Sequence, residues 1–325
     1  AREWLEKGEV KYVIGYERGT DGLGRPVFVR TPEDAERLVW NPGCLQNLTL
    51  YLADEFQRKP KRGEEPDLRP VGVVVKPCDS KTIVELMKEN IVPRERVKII
   101  GVRSRGSVDA GKLEKLLEQV PMEKRHSIEI TEDVGDGRDE VVVRYDGGEV
   151  RVPRDDVQAA KCDVCVIHNP VVHDIVVGED EPDPRPDDFP ELKELLGMDA
   201  EARWEYWQGQ LSRCVRCYAC RDVCPLCYCA ECVFERQKPY RWNENSVELP
   251  ENIFYHAVRA LHLAGRCIDC GECQRVCPMD IPVRLLNRFL IKRAKERFKV
   301  VPGINADDKP MFGAYDTGDP EEGIW

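Results

Sequence analysis

Cys214, Cys217, Cys220 and Cys224, followed by Pro225, stand in the spacing C-x2-C-x2-C-x3-C-P, and Cys267, Cys270, Cys273 and Cys277, followed by Pro278, repeat it. That run holds [4Fe–4S] cubanes: three closely spaced thiolates wrap three corners of one cube, and the fourth cysteine reaches the neighbouring cluster. The spacing therefore places Cys214, Cys217, Cys220 and Cys277 around one cluster. Cys267, Cys270, Cys273 and Cys224 surround the other, with each fourth cysteine expected to start the following helix. The chemistry of such a pair is transfer of single electrons. Zinc is the competing occupant, but structural zinc takes four ligands as two pairs, and two quartets each closed by proline match that poorly.

Of fifteen cysteines these motifs use eight, leaving seven: Cys44, Cys78, Cys162, Cys165, Cys227, Cys229 and Cys232. Cys78 lies at the C-terminal end of an expected parallel strand, where open α/β sheets place ligands. Cys162 and Cys165 form a C-x2-C pair. These three are candidate ligands for a third [4Fe–4S] cluster, with the fourth drawn from Cys44 or from Cys227, Cys229 and Cys232. Two bland alternatives stand beside this: a lone Cys44 as a small buried apolar side chain, and zinc at the C-x2-C pair. Seven thiolates are one short of two further cubanes.

The elements that must position these residues fall into an α/β half and a cluster half. Val10–Tyr16 and Pro26–Arg30 read as a hairpin around Asp21-Gly22-Leu23-Gly24. Thr31-Pro32-Glu33-Asp34 opens a helix, and a second helix is expected from Leu45 to Phe56. Strand Val71–Val75, helix Ser80–Asn90, strand Val97–Val102 and helix Asp109–Gln119 then alternate, which implies parallel strands with right-handed crossovers. Ile128 to Val152 turns to hairpin character, and Cys162 to Val177 closes the domain. The fold class expected is an α/β N-terminal domain, mostly parallel with hairpin additions, joined to a mainly α-helical, ferredoxin-like two-cluster domain. The boundaries expected are 1–177 for the first, 178–206 for an acidic proline-rich linker, 207–299 for the second and 300–325 for an irregular tail.

The motifs are about 42 residues apart, and Asn252 to Gly265 reads as a helix inside that insertion. In the helix from Arg284 to Lys299, Leu286, Leu290, Ala294 and Phe298 are expected to pack inward. Its basic face is expected in solvent, with docking onto an acidic partner as the sharper reading. Trp204 and Trp207 are expected to shield clusters from water.

Bulk properties bound the function. The formal net charge is −11, with no broad basic face, so nucleic-acid binding is not expected. No stretch approaches the roughly 18 apolar residues of a membrane span, and the acidic, amphipathic N-terminus is unlike a signal peptide. Clustered cysteines with metal spacing argue for a reducing cytoplasm over a disulfide framework. There is no G-x-G-x-x-G, H-E-x-x-H, nucleophile elbow or Walker loop.

The order Lys76-Pro77-Cys78-Asp79, Ile99-Ile100-Gly101-Val102, Lys161-Cys162-x2-Cys165 and Asp174-Ile175-Val176-Val177-Gly178-Glu179 resembles the beta-subunit family of coenzyme F420 hydrogenases and dehydrogenases over residues 30–180. That resemblance implies an iron–sulfur cluster beside a flavin, FAD, and electron exchange with a deazaflavin coenzyme. The cluster half, through Cys277-Pro278-Met279-Asp280-Ile281-Pro282, is similar to the dicluster modules of heterodisulfide-reductase and respiratory iron–sulfur subunits. Two departures from the family pattern are visible. Gly101-Val102-Arg103-Ser104-Arg105-Gly106 stands where a cysteine commonly follows the second strand, and Asn41-Pro42-Gly43-Cys44 replaces a glycine pair. The main expectation is an electron-transfer subunit of an anaerobic hydrogenase, formate dehydrogenase or heterodisulfide-reductase-type complex, itself non-catalytic. Its partners would be other subunits of that complex and a small carrier such as ferredoxin or deazaflavin. The alternative is a flavin-containing subunit that itself oxidises or reduces a deazaflavin.

Overall fold

The computed structural model describes all residues except 59–61, 64, 181, 184–185, 236–245, 314–316 and 319–325. The expected acidic linker and tail thus lie partly outside the described residues. By internal contacts the chain divides into two units, 1–49 with 58–80 and 92–187, and 50–57 with 81–91 and 188–325.

In the first unit, β1 (Val13–Arg18) and β2 (Gly24–Val29) form the expected antiparallel hairpin. β3 (Val71–Val75), β4 (Val97–Val102) and a final strand at Ile175–Val177 extend it in the order β2-β1-β3-β4 and then that strand, each of the last three junctions being parallel. All five residues of Val71-Gly72-Val73-Val74-Val75 are buried, as an uninterrupted apolar run with both faces covered requires. The intervening helices follow the expected alternation at Pro77–Lys88 and Ala110–Leu117. Asp109 caps the latter by accepting from Lys112 N at 3.0 Å, satisfying one of the four orphan donors of its first turn.

β5 (Glu129–Gly135), β6 (Arg138–Tyr145) and β7 (Gly148–Pro153) make a separate antiparallel sheet, and the strand Ile175–Val177 is β8. The β5–β6 turn places Asp136 and Gly137 at φ 50° and 81°, the left-handed pair that matches strand twist. Val141 and Val143 of its inner face pack on Ile128, Ile130, Leu113, Leu117 and Val157. The helix expected from Leu45 begins only at Leu50 and ends at Gln57. Thr31-Pro32 opens a 3-10 turn, Glu33–Arg37, in place of an α-helix.

Gly101, next to the last residue of β4, has a steric reason. A Cβ built there would stand 2.7 Å from Pro170 Cγ and 3.2 Å from His173 Cβ. The absence of a side chain lets the loop before β8 lie against the strand. Gly101→Val is expected to destabilise the protein by roughly 1–3 kcal/mol through overpacking, read as a lower urea midpoint with unchanged slope.

The second unit is helical. Ala200–Leu211 and Val283–Phe298 both pack on Leu249–His262, and two one-turn helices, Ala219–Asp222 and Glu272–Arg275, meet each other. Residues 81–91 belong to this unit, and its polar contacts explain why. Glu89 accepts from Arg266 Nη2 at 2.7 Å and from Tyr228 OH at 2.5 Å, while Glu85 accepts from Gly303 N at 2.6 Å. Among the described residues no helix is long and apolar enough to cross a membrane.

Candidate metal centres

Each cysteine motif folds as a wrapping loop followed by a single helical turn. The residues on either side of the second cysteine are left-handed in both copies: Arg216 and Tyr218 at φ 56° and 61°, Asp269 and Gly271 at 62° and 70°. A left-handed non-glycine residue costs on the order of 1 kcal/mol or more and persists only when its surroundings hold it. Arg216 is held by donation from Nη1 to Glu251 O at 2.6 Å. Asp269 accepts from Arg284 Nε and Nη2, both at 2.7 Å, and lies 3.2 Å from Arg288 Nη1. The fourth cysteine comes after the one-turn helix, not at the start of a new one: Ala219–Asp222 precedes Cys224 and Glu272–Arg275 precedes Cys277. The turn expected to begin at the fourth ligand instead carries the third, Cys220 or Cys273.

The structure brings Cys214, Cys217, Cys220 and Cys277 together around one small cavity, with Tyr255, His256, Met279 and Ile281 in its wall. Cys277 is thus beside the first motif's three cysteines. In the second quartet, Cys224 is an electrostatic neighbour of both Cys267 and Cys273. Burial pushes the Cys214, Cys220 and Cys267 thiols up, and Cys273 up to about 11. Thiolate ligation must overcome that protonation, so cluster assembly releases protons and is disfavoured by acid. Cys224 goes the other way, its thiol pulled down by the hydrogen bond from Cys227 and by the nearby Arg259. Among the described residues, no three His, Cys, Asp or Glu side chains converge as one metal ion requires. A cubane spreads its thiolates over the corners of a cage, whereas tetrahedral zinc draws four sulfurs to about 2.3 Å from one point.

The helix Leu249–His262 supplies the residues that sequence reading missed. Asn252, Tyr255, His256 and Arg259 fall at i, i+3, i+4 and i+7, one helical face, and all four are buried. Asn252 Nδ2 sits among three carbonyls, 3.2, 2.9 and 3.1 Å from Leu211 O, Cys214 O and Val247 O, and its two hydrogens are shared among them. His256 Nε2 lies 3.4 Å from Cys214 Sγ, and Tyr255 OH 3.7 Å from Cys220 Sγ. Burial, helped by Arg259 and Arg216, pushes the His256 imidazole down to about 3. Arg259 Nη2 donates to Cys220 O at 2.8 Å. The helical period of these polar residues in an otherwise apolar segment was the available signal.

The helix Val283–Phe298 overturns the expectation for its basic face. Its buried residues are Val283, Arg284, Asn287, Arg288, Ile291 and Ala294, while Phe298 is exposed. Arg288 is among the largest fully buried side chains. Arg284 and Arg288 pair with Asp269 and Glu191, and Asn287 Nδ2 lies 4.0 Å from Cys273 Sγ. Only its C-terminal cations face water. Trp204 is half exposed, and Trp207 packs with the residues around Leu211, Cys220 and Cys273.

Cys227, Cys229 and Cys232 line a second, larger cavity together with Tyr228, Arg259 and Arg266. Arg221 hydrogen-bonds to Cys232.

In the first unit, Cys78 is an electrostatic neighbour of Cys165 and Lys161. Cys162 Sγ accepts from Ser107 N at 3.3 Å, and Cys165 N donates to Cys162 O at 3.2 Å. Beneath Cys78, Lys76 Nζ and Asp79 Oδ2 form a buried pair at 2.8 Å, and Lys76 also donates to Tyr16 OH at 2.7 Å. Cys44 is buried, with its sulfur 3.9 Å from Val39 O and Asn41 Oδ1. Its charged neighbours are Lys76 and Asp79, and burial pushes its thiol from 9.0 up to about 11. Between those values the native state keeps a proton that the unfolded chain releases, so stability falls as pH rises through that window, by at most ~3 kcal/mol. The stability gap between wild type and Cys44→Ala in urea unfolding is therefore expected to narrow between about pH 8 and pH 11.

Comparison with known proteins places these units. Residues 68–188 match the family model for the C terminus of the coenzyme F420 hydrogenase/dehydrogenase beta subunit, and residues 210–281 match the 4Fe-4S dicluster domain. The chain is homologous to two curated beta subunits. It is 23% identical to the F420-dependent formate dehydrogenase subunit beta of Methanocaldococcus jannaschii, over 95% of this chain and 91% of that protein. It is 26% identical to the F420-dependent formate dehydrogenase 1 subunit beta of Methanococcus maripaludis, over 95% and 90%. A chain of the F420-reducing [NiFe] hydrogenase complex from Methanosarcina barkeri overlaps 51% of this one and 56% of its own length at 18% identity, with a TM-score of 0.39.

Proposed function

From a chain that joins the C-terminal domain of a coenzyme F420 hydrogenase/dehydrogenase beta subunit to a 4Fe-4S dicluster domain, we propose the beta subunit of an F420-dependent formate dehydrogenase or hydrogenase-type complex. Its first unit exchanges hydride equivalents with the deazaflavin, and its second carries single electrons to or from a partner subunit that oxidises formate or hydrogen. The observation that carries this reading is kinship along 95% of the chain to two F420-dependent beta subunits. It favours the carrier-reacting alternative over a purely passive wire.

The residues present fit two cubanes. Cys214, Cys217, Cys220 and Cys277 would hold one, and Cys267, Cys270, Cys273 and Cys224 the other. These clusters supply one-electron exchange without bond rearrangement; the chain's work is to hold them as neighbours and exclude water. Cys78, Cys162 and Cys165 would hold three corners of a third on the first unit. A deazaflavin gives or takes a hydride, two electrons at once, while cubanes take one. A converter is therefore needed between them, and FAD supplies that chemistry when bound. No residue of the described chain is assigned to FAD.

The reading is tested by anaerobic assay of the purified protein with reduced deazaflavin and a one-electron dye, alongside flavin analysis. Dye reduction at the expense of the deazaflavin, with about one flavin per chain, is expected. Iron-loaded protein with neither flavin nor deazaflavin activity would return the chain to the passive electron-transfer role.

A further inference from the structure

Arg259 occupies a position that its own surroundings do not explain. It is 6% exposed, and burying an uncompensated guanidinium is costly. Its Nη2 donates to the carbonyl of Cys220 at 2.8 Å. Its Nε has no hydrogen-bond partner among the described residues. The ionisable groups that act on it most strongly are sulfurs: Cys224 and Cys273 from one quartet, Cys227 beside Cys224, and Cys220 from the other quartet. The neighbouring cations Arg266, Arg284 and Arg288 each have a carboxylate, Glu89 for the first, Asp269 and Glu191 for the other two. An all-thiolate cubane is a dianion when oxidised and a trianion when reduced, so a guanidinium facing two of them has the counter-charge its burial demands.

We infer that Arg259 is a shared electrostatic anchor of both ferredoxin-type clusters, its buried guanidinium set between the two quartets so that one fixed cation raises both reduction potentials. The inference rests on the cluster ligation proposed above. Adding an electron deepens the negative charge of either cluster, and a fixed cation in a low-dielectric site stabilises that product more than the oxidised form. Because a guanidinium stays protonated, the electron is accommodated without an accompanying proton at this residue. His256 and Tyr255, from the same helix face, contact sulfurs of the first quartet only, so Arg259 differs from them in serving both clusters.

The test is a redox titration of the full chain, followed by electron-spin resonance, for wild type, Arg259→Gln and Arg259→Lys, each first assayed for iron. Wild-type protein without the irons of two clusters would overturn the ligation reading and this inference with it, whereas the outcomes below bear on the inference alone. With iron retained, Arg259→Gln is expected to shift both midpoint potentials to more negative values, and Arg259→Lys to restore most of that shift. Unchanged potentials in Arg259→Gln, or movement of one cluster alone, would overturn the proposal. Should Arg259→Gln assemble no clusters, Arg259→Lys is expected to assemble both, and its failure to do so would equally overturn it, because charge would then not be what the site requires.

Discussion

Serine in place of Cys277 is expected to abolish the cluster wrapped by Cys214, Cys217 and Cys220, leaving about four of about eight ferredoxin-type irons. Cys277 lines the same cavity as those three residues, although it lies more than fifty positions along the chain. Pairs of variants make the assignment decisive. Cys214→Ser with Cys277→Ser is expected to lose no more iron than either change alone, because both strike one cluster. Cys267→Ser with Cys277→Ser is expected to lose both. If each motif kept its own fourth cysteine, the two double variants would exchange outcomes. Cys277 is a cleaner probe than Cys224, whose hydrogen-bonded neighbour Cys227 offers a substitute thiolate within reach.

Asp269→Ala is expected to be the most damaging change away from the cysteines, destabilising the second unit by roughly 3–5 kcal/mol. Arg284 and Arg288 are buried, with side chains 7% and 2% exposed, and Asp269 accepts from Arg284 through two 2.7 Å bonds. Removing the carboxylate leaves two buried cations to share Glu191. It also frees a left-handed backbone position, φ 62°, in the loop that wraps the second cluster. Iron is therefore expected to leave that cluster first, with a lowered urea midpoint. Breaking the surface pair of Lys292 and Glu296, on the same helix but facing water, is expected to change little. Equal effects from the two would contradict the buried network.

Much of this arrangement was legible in the residues. The apolar runs Val71–Val75 and Ile99–Val102, separated by a helical stretch, specified parallel pairing because such strands are covered on both faces. Repeated cysteine spacing announced paired iron–sulfur loops, in agreement with the dicluster match. Less legible was everything that depends on which side of a helix is buried against charge. Arginines at 284 and 288 look like a solvated face under any hydropathy rule, yet Asp269, fifteen residues before the first of them, turns them inward. Asn252, Tyr255, His256 and Arg259 keep a helical period, but periodicity is ordinarily read through apolar residues, and here the buried stripe is mostly polar. Residues 81–91 joined the second unit through Glu85 and Glu89, contacts made by partners far along the chain that no local pattern announces.

The most direct test is metal and sulfide analysis of protein prepared without oxygen, together with its electron-spin spectrum after reduction. About eight irons with matching sulfide, or about twelve if the Cys78 site is filled, and paired cubane signals are the expected result. Protein carrying zinc in place of iron, with no sulfide and no such signal, would contradict the account.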